Sequence, residues 1–275
     1  LYRRWGKYDE AMQYAQEALD TSRELYGDDD FITFQAMGHM GTLLTVQGKF
    51  DEAFPYYQQT IDGHRRSVGG DHPQTLFAIG NMGSWLIRQG RHEEALPYEQ
   101  ERMEGLIDVL GPDHEESIES QYRMGVLMQN LGRTGEGVSF LEAALVRAPT
   151  ALGIGHIVTA RTRATLGNIL RKQGKCDEAT PLLRDGLAGF RIARGDRFDE
   201  TLYTWYYLVD CLIELGQYEE AEPLALACHA LNVDIYGSEH QETYDMVKLL
   251  ADLREAQGRG DDAQRWREML PDSSE

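Results

Sequence analysis

The sequence has few of the features that mark disulfide-bonded, zinc-binding or membrane-spanning proteins. Its 275 residues include only three cysteines, Cys176, Cys211 and Cys228, an odd number without CxxC spacing. That pattern favours free thiols in a reducing compartment over disulfide bridges or a metal site. No apolar run approaches the roughly 18 residues that a membrane-spanning helix needs, and no charged-then-apolar leader opens the chain. We therefore expect a soluble, cytoplasmic protein without a membrane partner.

Basic residues are also scarce. Lys and Arg number 27 against 46 Asp and Glu, which gives a formal net charge of −19. A chain this acidic repels a phosphate backbone, so nucleic acid is not an expected partner. Apolar residues make up 41% of the chain and charged residues 27%, close to the globular average. This composition predicts a folded core rather than a disordered acidic segment.

What the sequence does contain is a repeat with a fixed period of 42 residues. One glycine series, each member followed by a variant of GKYDEA, comprises Gly6, Gly48, Gly90, Gly132, Gly174, Gly216 and Gly258. A second glycine series comprises Gly27, Gly69, Gly111, Gly153, Gly195 and Gly237. A hydroxyl series comprises Thr33, Thr75, Ser117, Thr159, Thr201 and Thr243. Three registers with one period predict an array of a single supersecondary unit.

Each unit has the pattern of two helices. In residues 75–90 apolar side chains return every three or four positions, which predicts a helix that we call helix A. Residues 48–69 begin with acidic and end with basic side chains, as the dipole of a second helix, helix B, favours. We expect the prolines to mark the start of helix B, where a backbone N–H has no intrahelical partner. These prolines are Pro55, Pro97, Pro181 and Pro223.

Small residues at fixed positions of both helices predict that they pack closely. Helix A has Gly41, Gly83, Gly125 and Gly167. Helix B has Ala11, Ala53, Ala95, Ala179, Ala221 and Ala263. One helix pair cannot bury its own apolar face, so neighbouring units must stack. The expected fold is all-α, in the form of a helical solenoid.

The segment GGDHPQTLFAIGNMGSWLIRQGRHEEALPYE at residues 69–99 resembles the 42-residue tetratricopeptide repeat of kinesin light chains. That family's pattern is TL····N·G·L···GKYEEA·P·Y, ending in G·DHP, and the match covers almost the whole chain. The resemblance implies a right-handed α-α superhelix whose A helices line a concave groove. It also implies a non-enzymatic interaction module, such as occurs beside catalytic or signalling domains in larger proteins.

The repeats predict a single array. Residues 1–27 are expected to be a partial first repeat with a helix B, followed by six A/B units from about 28 to 270 and a tail at 271–275. Residues 1–5 resemble the end of a helix A whose start is missing. In the fourth repeat we expect Pro149 to end helix B early and the loop at 149–156 to be irregular, which would make this repeat a hinge.

Catalytic and metal-binding patterns are weak. The loop histidines, one per repeat, would be separated by about 10 Å in stacked helices, whereas zinc needs its ligands about 2 Å away. We therefore interpret them as structural. They are His72, His114, His156 and His240. No catalytic residue, metal or cofactor is predicted.

The candidate site is the groove that the resemblance implies. The fourth helix A, IVTARTRATLGNILRKQ, has four bases and no acid within an acidic protein. Basic, amide and aromatic side chains suit a protein segment with carboxylates and an aromatic anchor, and kinesin light chain grooves take such peptides. The expected groove residues are Asn81, Arg88, Tyr122, Arg123, Asn130, Arg161, Asn168, Arg171, Lys172, Tyr203 and Tyr206.

Several alternatives stay open at this level. The arginines could instead form a solvated charge lattice with acids of neighbouring helices, notably Asp210 and Glu214. The arginines concerned are Arg123, Arg161, Arg163 and Arg171. We expect Trp85 and Trp205 in the core and leave Tyr207 unassigned. The array could also be a regulatory or sensor arm of a larger signalling enzyme, for example one with a kinase domain, or could self-associate through its terminal repeats.

Overall fold

The computed structural model describes residues 2–271, with side chains described from residue 10 onward. This part of the chain forms thirteen α-helices and no strand. The helices are α1 (Tyr2–Tyr26), α2 (Phe31–Val46), α3 (Phe50–Ser67), α4 (Pro73–Arg88), α5 (His92–Leu110), α6 (Glu115–Asn130), α7 (Thr134–Ala151), α8 (Ile157–Lys172), α9 (Cys176–Arg194), α10 (Asp199–Glu214), α11 (Tyr218–Tyr236), α12 (Gln241–Ala256) and α13 (Gly260–Arg267). The even-numbered helices are A helices and the odd-numbered ones are B helices. The predicted all-α helical-repeat solenoid class is confirmed.

The loop histidines cap the A helices. His72 Nδ1 accepts a hydrogen bond from the backbone N–H of Gln74 at 3.2 Å, and His240 Nδ1 accepts one from Glu242 at the same distance. His114 and His156 make the equivalent bond at the start of α6 and α8. Each imidazole satisfies a donor that the first helical turn leaves free. The structural interpretation of these histidines is confirmed.

A hydrogen bond links the second glycine series to the hydroxyl series. The hydroxyl of Thr33 donates to the carbonyl of Gly27 at 2.7 Å, and Thr75 donates to Gly69 at 2.7 Å. Gly27 has φ +87°, a left-handed conformation that glycine adopts without strain. Ser117 departs from the pattern and donates to Leu106 O at 3.0 Å. The bond explains why these two series keep one period: the turn needs both residues.

The predicted close approach of the A and B helices is confirmed. A Cβ atom on Gly41 would lie 3.0 Å from the Tyr57 ring, and one on Gly167 would lie 2.8 Å from Leu183 Cδ2. The facing alanines of the B helices are fully buried; they are Ala53, Ala95, Ala179, Ala221 and Ala263. Larger side chains at either series would push the paired helices apart.

The expectation for the helix B prolines needs correction. Pro55 is the sixth residue of α3, which begins at Phe50, so it lies one turn past the positions whose N–H groups lack a partner. The hydrogen bond that Pro55 cannot make would have gone to the carbonyl of Asp51. Both residues are exposed, so water can satisfy that carbonyl. The prolines are tolerated because of exposure, not because of a terminal position.

Pro149 does not end helix B early, which is a second correction. Helix α7 continues to Ala151, and the N–H of Leu152 still bonds to Ala148 O at 2.9 Å. Proline fits helical φ, and only two helical residues follow Pro149, so the chain completes the last turn. The following loop is also regular, because Gly153 has φ +94° and His156 caps the next helix as in other repeats. The hinge role of this repeat stays a prediction.

The chain divides into two compact units, at residues 1–140 and 141–275. In unit 1, the largest apolar cluster includes Ile79 and Leu127; in unit 2, it includes Leu208 and Leu250. Helix α1 runs without a break through Gly6, so from residue 2 onward the start of the chain is not a separate helix A. Leu1 and residues 272–275 of the expected tail lie outside the described residues. Within residues 2–271, no helix combines the length and apolar character that a membrane span requires.

Candidate functional site

In unit 1, three predicted site residues lie exposed on A helices. Asn81 is in the middle of α4, Arg88 is its last residue, and Asn130 is the last residue of α6. Tyr122, also on α6, is half-buried. The exposed amides and the guanidinium can therefore meet a partner without any rearrangement of the helices.

Arg123 is held inside unit 1. Its Nε donates to Glu99 Oε2 at 3.0 Å, and its Nη2 donates to Ser84 Oγ at 2.7 Å and to Gly80 O at 3.3 Å. The Glu99 side chain is completely buried on α5. Gly83 makes room for it, since a Cβ there would lie 2.6 Å from Glu99 Oε1. Burial works against the charge of Arg123, but the bonds to Glu99 raise its pKa overall.

A second arginine of unit 1, Arg102, is buried beside this pair. Its Nη2 donates to Glu116 Oε2 at 3.1 Å, whereas its Nη1 finds no acceptor among the described residues. Its side chain fills space left by Gly80, where a Cβ would lie 2.3 Å from Arg102 Cδ. Burial, and then the nearby charge of Arg123, lower the pKa of Arg102. The two arginines therefore belong to the interior of the repeat.

A cavity of about 170 Å³ opens between α2, α3 and α4 of unit 1. Its lining residues are Gln35, Gly38, His39, Thr60, His64, Gln74, Phe77, Ala78 and Asn81. Asn81 is the only one of these that the sequence placed in the candidate site. His39 and Asn81 are exposed at its outer edge, while Thr60 and His64 are buried at its base.

In unit 2, the predicted basic residues lie beside carboxylates. Arg161 on α8 donates to Glu200 Oε1 on α10 at 3.0 Å. Arg171 forms an ion pair with Asp210 of α10, and its Nε donates to Asn168 Oδ1 at 3.1 Å. The charges of Arg161 and Arg171 are thus balanced by acidic side chains of the next A helix, and Asn168 orients the Arg171 guanidinium.

Arg161 and Arg171 pair with partly exposed acids of a neighbouring helix, as the charge-lattice alternative predicts, whereas the partner of Arg123 is the buried Glu99 and not a solvated acid. Arg163 completes the set, with its Nη2 3.7 Å from Asp185 Oδ2. Asp210 is a partner as expected, whereas Glu214 instead accepts a hydrogen bond from Cys176 Sγ at 3.3 Å. Lys172, the last residue of α8, is exposed and remains available for contact.

The predicted tyrosines lie on α10. The Tyr203 hydroxyl donates to Glu242 Oε1 on α12 at 3.0 Å; burial, and then this bond, raise the pKa of Tyr203 to about 12. Tyr206 is half-buried, with its ring 6.0 Å from Tyr207 in a T-shaped arrangement. The guanidinium of Arg171 lies 4.9 Å from the centre of the Tyr207 ring. The Tyr207 ring therefore packs against the charged guanidinium of Arg171.

Several of these bonds share one offset along the chain. Each joins an A helix to the next A helix through residues 39 positions apart, and together we call them the lateral ladder. Its rungs are Gln35–Gln74 and Ser84–Arg123 in unit 1, and Arg161–Glu200, Arg171–Asp210 and Tyr203–Glu242 in unit 2. Within each unit, the ladder fixes polar side chains in defined rotamers on the A-helix face.

Trp85 and Trp205 are buried, which confirms their core assignment, and Trp85 Nε1 donates to Phe50 O at 3.0 Å. All three cysteines are free and buried. Among the described residues, no group of three or more His, Cys, Asp or Glu side chains is arranged to hold a metal ion.

Comparison with known families gives matches along the chain. One family model, described as a tetratricopeptide repeat, matches residues 32–108 and 116–192. Two further models with the same description match residues 1–31 and 165–230. Among curated proteins, none matches the sequence.

Three solved structures illustrate the similarity. BtubC (BKLC) from P. vanneervenii is 14% identical with a TM-score of 0.72, over 84% of this chain and 92% of that one. A Podosopora anserina protein with nearly identical TPR-like repeats, named as a kinesin light chain, is 18% identical with a TM-score of 0.61, over 73% and 94%. NprR in complex with its cognate peptide NprX is 20% identical with a TM-score of 0.55, over 97% and 74%.

Proposed function

The chain belongs to the tetratricopeptide-repeat family, of the kinesin-light-chain-like type, and we propose that it is a non-enzymatic module that binds a peptide segment of a partner protein on its A-helix faces. The peptide complex of the similarly folded NprR supports this choice. The observation that carries it is that hydrogen bonds fix some polar side chains of these faces and leave others free. The ladder fixes Arg123, Arg161, Arg171 and Tyr203, while Asn81, Arg88, Asn130 and Lys172 stay exposed. A fixed surface with a few free polar groups loses little entropy on binding.

The chemistry of the peptide is the finer part of the proposal. An acidic segment with an aromatic anchor would contact the free base Lys172 in unit 2, and the half-buried Tyr206 of the same unit would supply apolar area. Arg161 and Arg171 contribute less than their charge suggests, because Glu200 and Asp210 already neutralise them. We therefore expect peptide binding to depend less on salt concentration than it would if all four bases of α8 were free.

A peptide-display screen against the purified protein, at low and high salt, tests this proposal. We expect acidic peptides with an aromatic residue, whose binding falls about two- to fivefold in Lys172→Glu. The control is Lys175→Glu, which makes the same charge change in the turn before α9. Enrichment of no peptide at either salt concentration would reject the function, and equal loss in both variants would reject the site.

A second candidate is a regulatory or sensor arm of a larger signalling enzyme. The similarly folded NprR is described as a quorum sensor from B. thuringiensis, which supports this candidate. In that case the A-helix faces contact a catalytic domain or an effector. Reading the complete gene tests this directly: a kinase or other catalytic domain favours the sensor, and further repeats or a coiled coil favour the adaptor.

Self-association through the terminal repeats is an additional proposal. Helix α1 exposes large apolar side chains that a neighbour could cover, and Tyr14 and Leu25 are 70% and 66% exposed. Met269, after α13, is half exposed as well. Sedimentation at increasing concentration tests this, and a monomer throughout would reject it.

A further inference from the structure

The cavity between α2, α3 and α4 of unit 1 contains no Asp, Glu, Lys or Arg among its lining residues, although charged residues make up 27% of the chain. We infer that it is a side-chain pocket for an uncharged carboxamide, the end group of asparagine and glutamine, presented by the bound peptide. The inference rests on the proposed peptide-binding function and adds to it the recognition of one neutral residue.

The first reason for this inference is the unpaired ring nitrogen of His64. His64 is only 2% exposed, and its Nδ1 has no hydrogen-bond partner among the described residues. The same position of other repeats holds Leu106, Ala148 and Phe190, which are apolar and buried. A polar atom without a partner is unfavourable at a core position, so an external partner would explain His64.

Of the two other polar residues in this register, Ser22 has no unpaired buried side-chain atom, whereas Asn232 Oδ1, like His64 Nδ1, has no partner among the described residues. Ser22 donates to Ala18 O at 2.6 Å, and Asn232 donates to Glu242 O at 3.1 Å. Both side chains therefore have a structural bond within their own repeat. His64 instead lies against aromatic rings, with Phe31 at 4.9 Å and Phe34 at 6.0 Å between ring centres.

Small residues create the space. In the next repeat, Arg102 fills the volume opposite Gly80, as described above. The corresponding pair in the cavity is Gly38 and Thr60, and Thr60 is far smaller than arginine. A Cβ on Gly38 would meet Thr60 Cγ2 only at an ordinary 3.4 Å. Compared with the next repeat, where Arg102 fills this volume, Thr60 leaves room for the cavity.

The lining groups select by chemistry. Gln35, Gln74 and Asn81 provide amide donors and acceptors, and His39 and His64 provide ring nitrogens. Burial, and then the proximity of His72, lower the pKa of His64, so its ring is neutral near pH 7. A carboxylate would meet no cation here and an ammonium group no anion, whereas a carboxamide can both donate and accept without carrying charge into the cavity.

A titration with two matched probes tests the inference. N-acetylglutamine methylamide and N-acetylglutamate methylamide differ only in carboxamide against carboxylate. We would follow the His64 ring signals by NMR in the intact chain at pH 7.5. The expected result is saturable binding of the glutamine probe with Kd of about 1–10 mM, and binding of the glutamate probe at least about tenfold weaker. No saturable shift, or equal shifts with both probes, would overturn the inference.

Variants of the cavity provide the controls. His64→Leu installs the residue that Leu106 provides in the next repeat and should abolish probe binding, as monitored on the His39 ring. Gly38→Ala adds one methyl group beside Thr60 and should weaken binding. His229→Leu removes another imidazole with an unpaired buried nitrogen, in unit 2, and should leave probe binding unchanged. Full binding in His64→Leu would contradict the assignment.

The outcome is separable from that of the peptide screen. Acidic peptides that bind without a glutamine or asparagine, together with a failed titration, would retain the proposed function and remove the pocket. Probe binding with no peptide enriched would retain the pocket and remove the peptide-binding function.

Discussion

The guanidinium group of Arg123 on α6 is bound to the carboxylate of Glu99, which is completely buried on α5, with Nε 3.0 Å from Oε2. An arginine that the sequence places in a binding groove therefore neutralises a charge in the interior. Its first role is in folding.

Replacing Arg123 by methionine should lower the free energy of unfolding by about 3–5 kcal/mol, because Glu99 is left buried without its hydrogen-bonded counter-charge. The double variant Arg123→Met with Glu99→Leu should recover most of that loss, since Leu141 and Leu183 occupy the equivalent position of other repeats. Urea unfolding followed by circular dichroism measures both. A double variant no more stable than the single one would contradict this view of the pair.

Arg171 and Lys172 are neighbours with different roles. Arg171→Glu places a carboxylate against Asp210 and should cost about 1–2 kcal/mol of stability, whereas Lys172→Glu, at an exposed position, should change stability by less than about 0.5 kcal/mol. Thermal unfolding of the two variants distinguishes them. Equal losses would mean that the Asp210 pair contributes nothing to unit 2.

His64→Leu should raise stability at pH 7.5 by about 1–3 kcal/mol, because it removes a buried nitrogen without a partner. The pKa of His64 is lowered by burial and by His72, so as pH falls below about 6.5 the unfolded state takes up the proton first and the folded state loses stability. The advantage of the leucine variant should therefore grow as the pH falls. Unfolding midpoints between pH 7.5 and pH 5.5 check both statements; a destabilised variant would refute the first.

Glu222 in unit 2 predicts a different pH dependence. Hydrogen bonds from Arg254 at 2.7 Å and from Gln257 at 3.0 Å lower the pKa of Glu222 from 4.5 to about 2. A carboxyl group with a lowered pKa contributes stability above its unfolded value and loses it as pH falls through the folded value. The difference between the wild type and Glu222→Gln should thus shrink between pH 4.5 and about pH 2. Glu219→Gln, at an exposed position on the same helix, serves as the matched substitution control.

The three thiols should be unreactive in the folded protein. Burial raises the pKa of Cys228 to about 12 and also raises the pKa values of Cys176 and Cys211. Because the thiolate is the reactive form, a thiol reagent at pH 8 should label none of them rapidly before unfolding and all three after it. Rapid labelling of one native thiol would show that its surroundings open.

Much of the fold could be predicted from the sequence because the repeat encodes it locally. Helix α4 lies within two residues of the predicted span 75–90 at each end, and a capping histidine and a Gly–Thr bond lie in the loop before it. Pro149 was predicted wrongly because it lies in the last turn of α7, and the residue at which a helix ends depends on the packed chain.

The candidate site was less predictable. Charge counting identified the arginines, but the partner of Arg123 is Glu99, 24 residues earlier on another helix, and only the packing brings them together. The cavity depends on the difference in volume between Thr60 and Arg102, which no motif records. One signal was available: His64 occupies a register that holds Leu106 and Phe190 in other repeats.

The lateral ladder also bears on how such an array can evolve. Its rungs join residues 39 positions apart, about one helical turn short of the 42-residue period. Duplicating or exchanging one repeat would therefore move one residue of a rung without its hydrogen-bond partner in the neighbouring repeat. The repeats look interchangeable in sequence, yet each is matched to its own neighbour. Among related arrays, substitutions should covary at an offset of 39 residues, so that the inherited unit is a pair of neighbours rather than a single repeat.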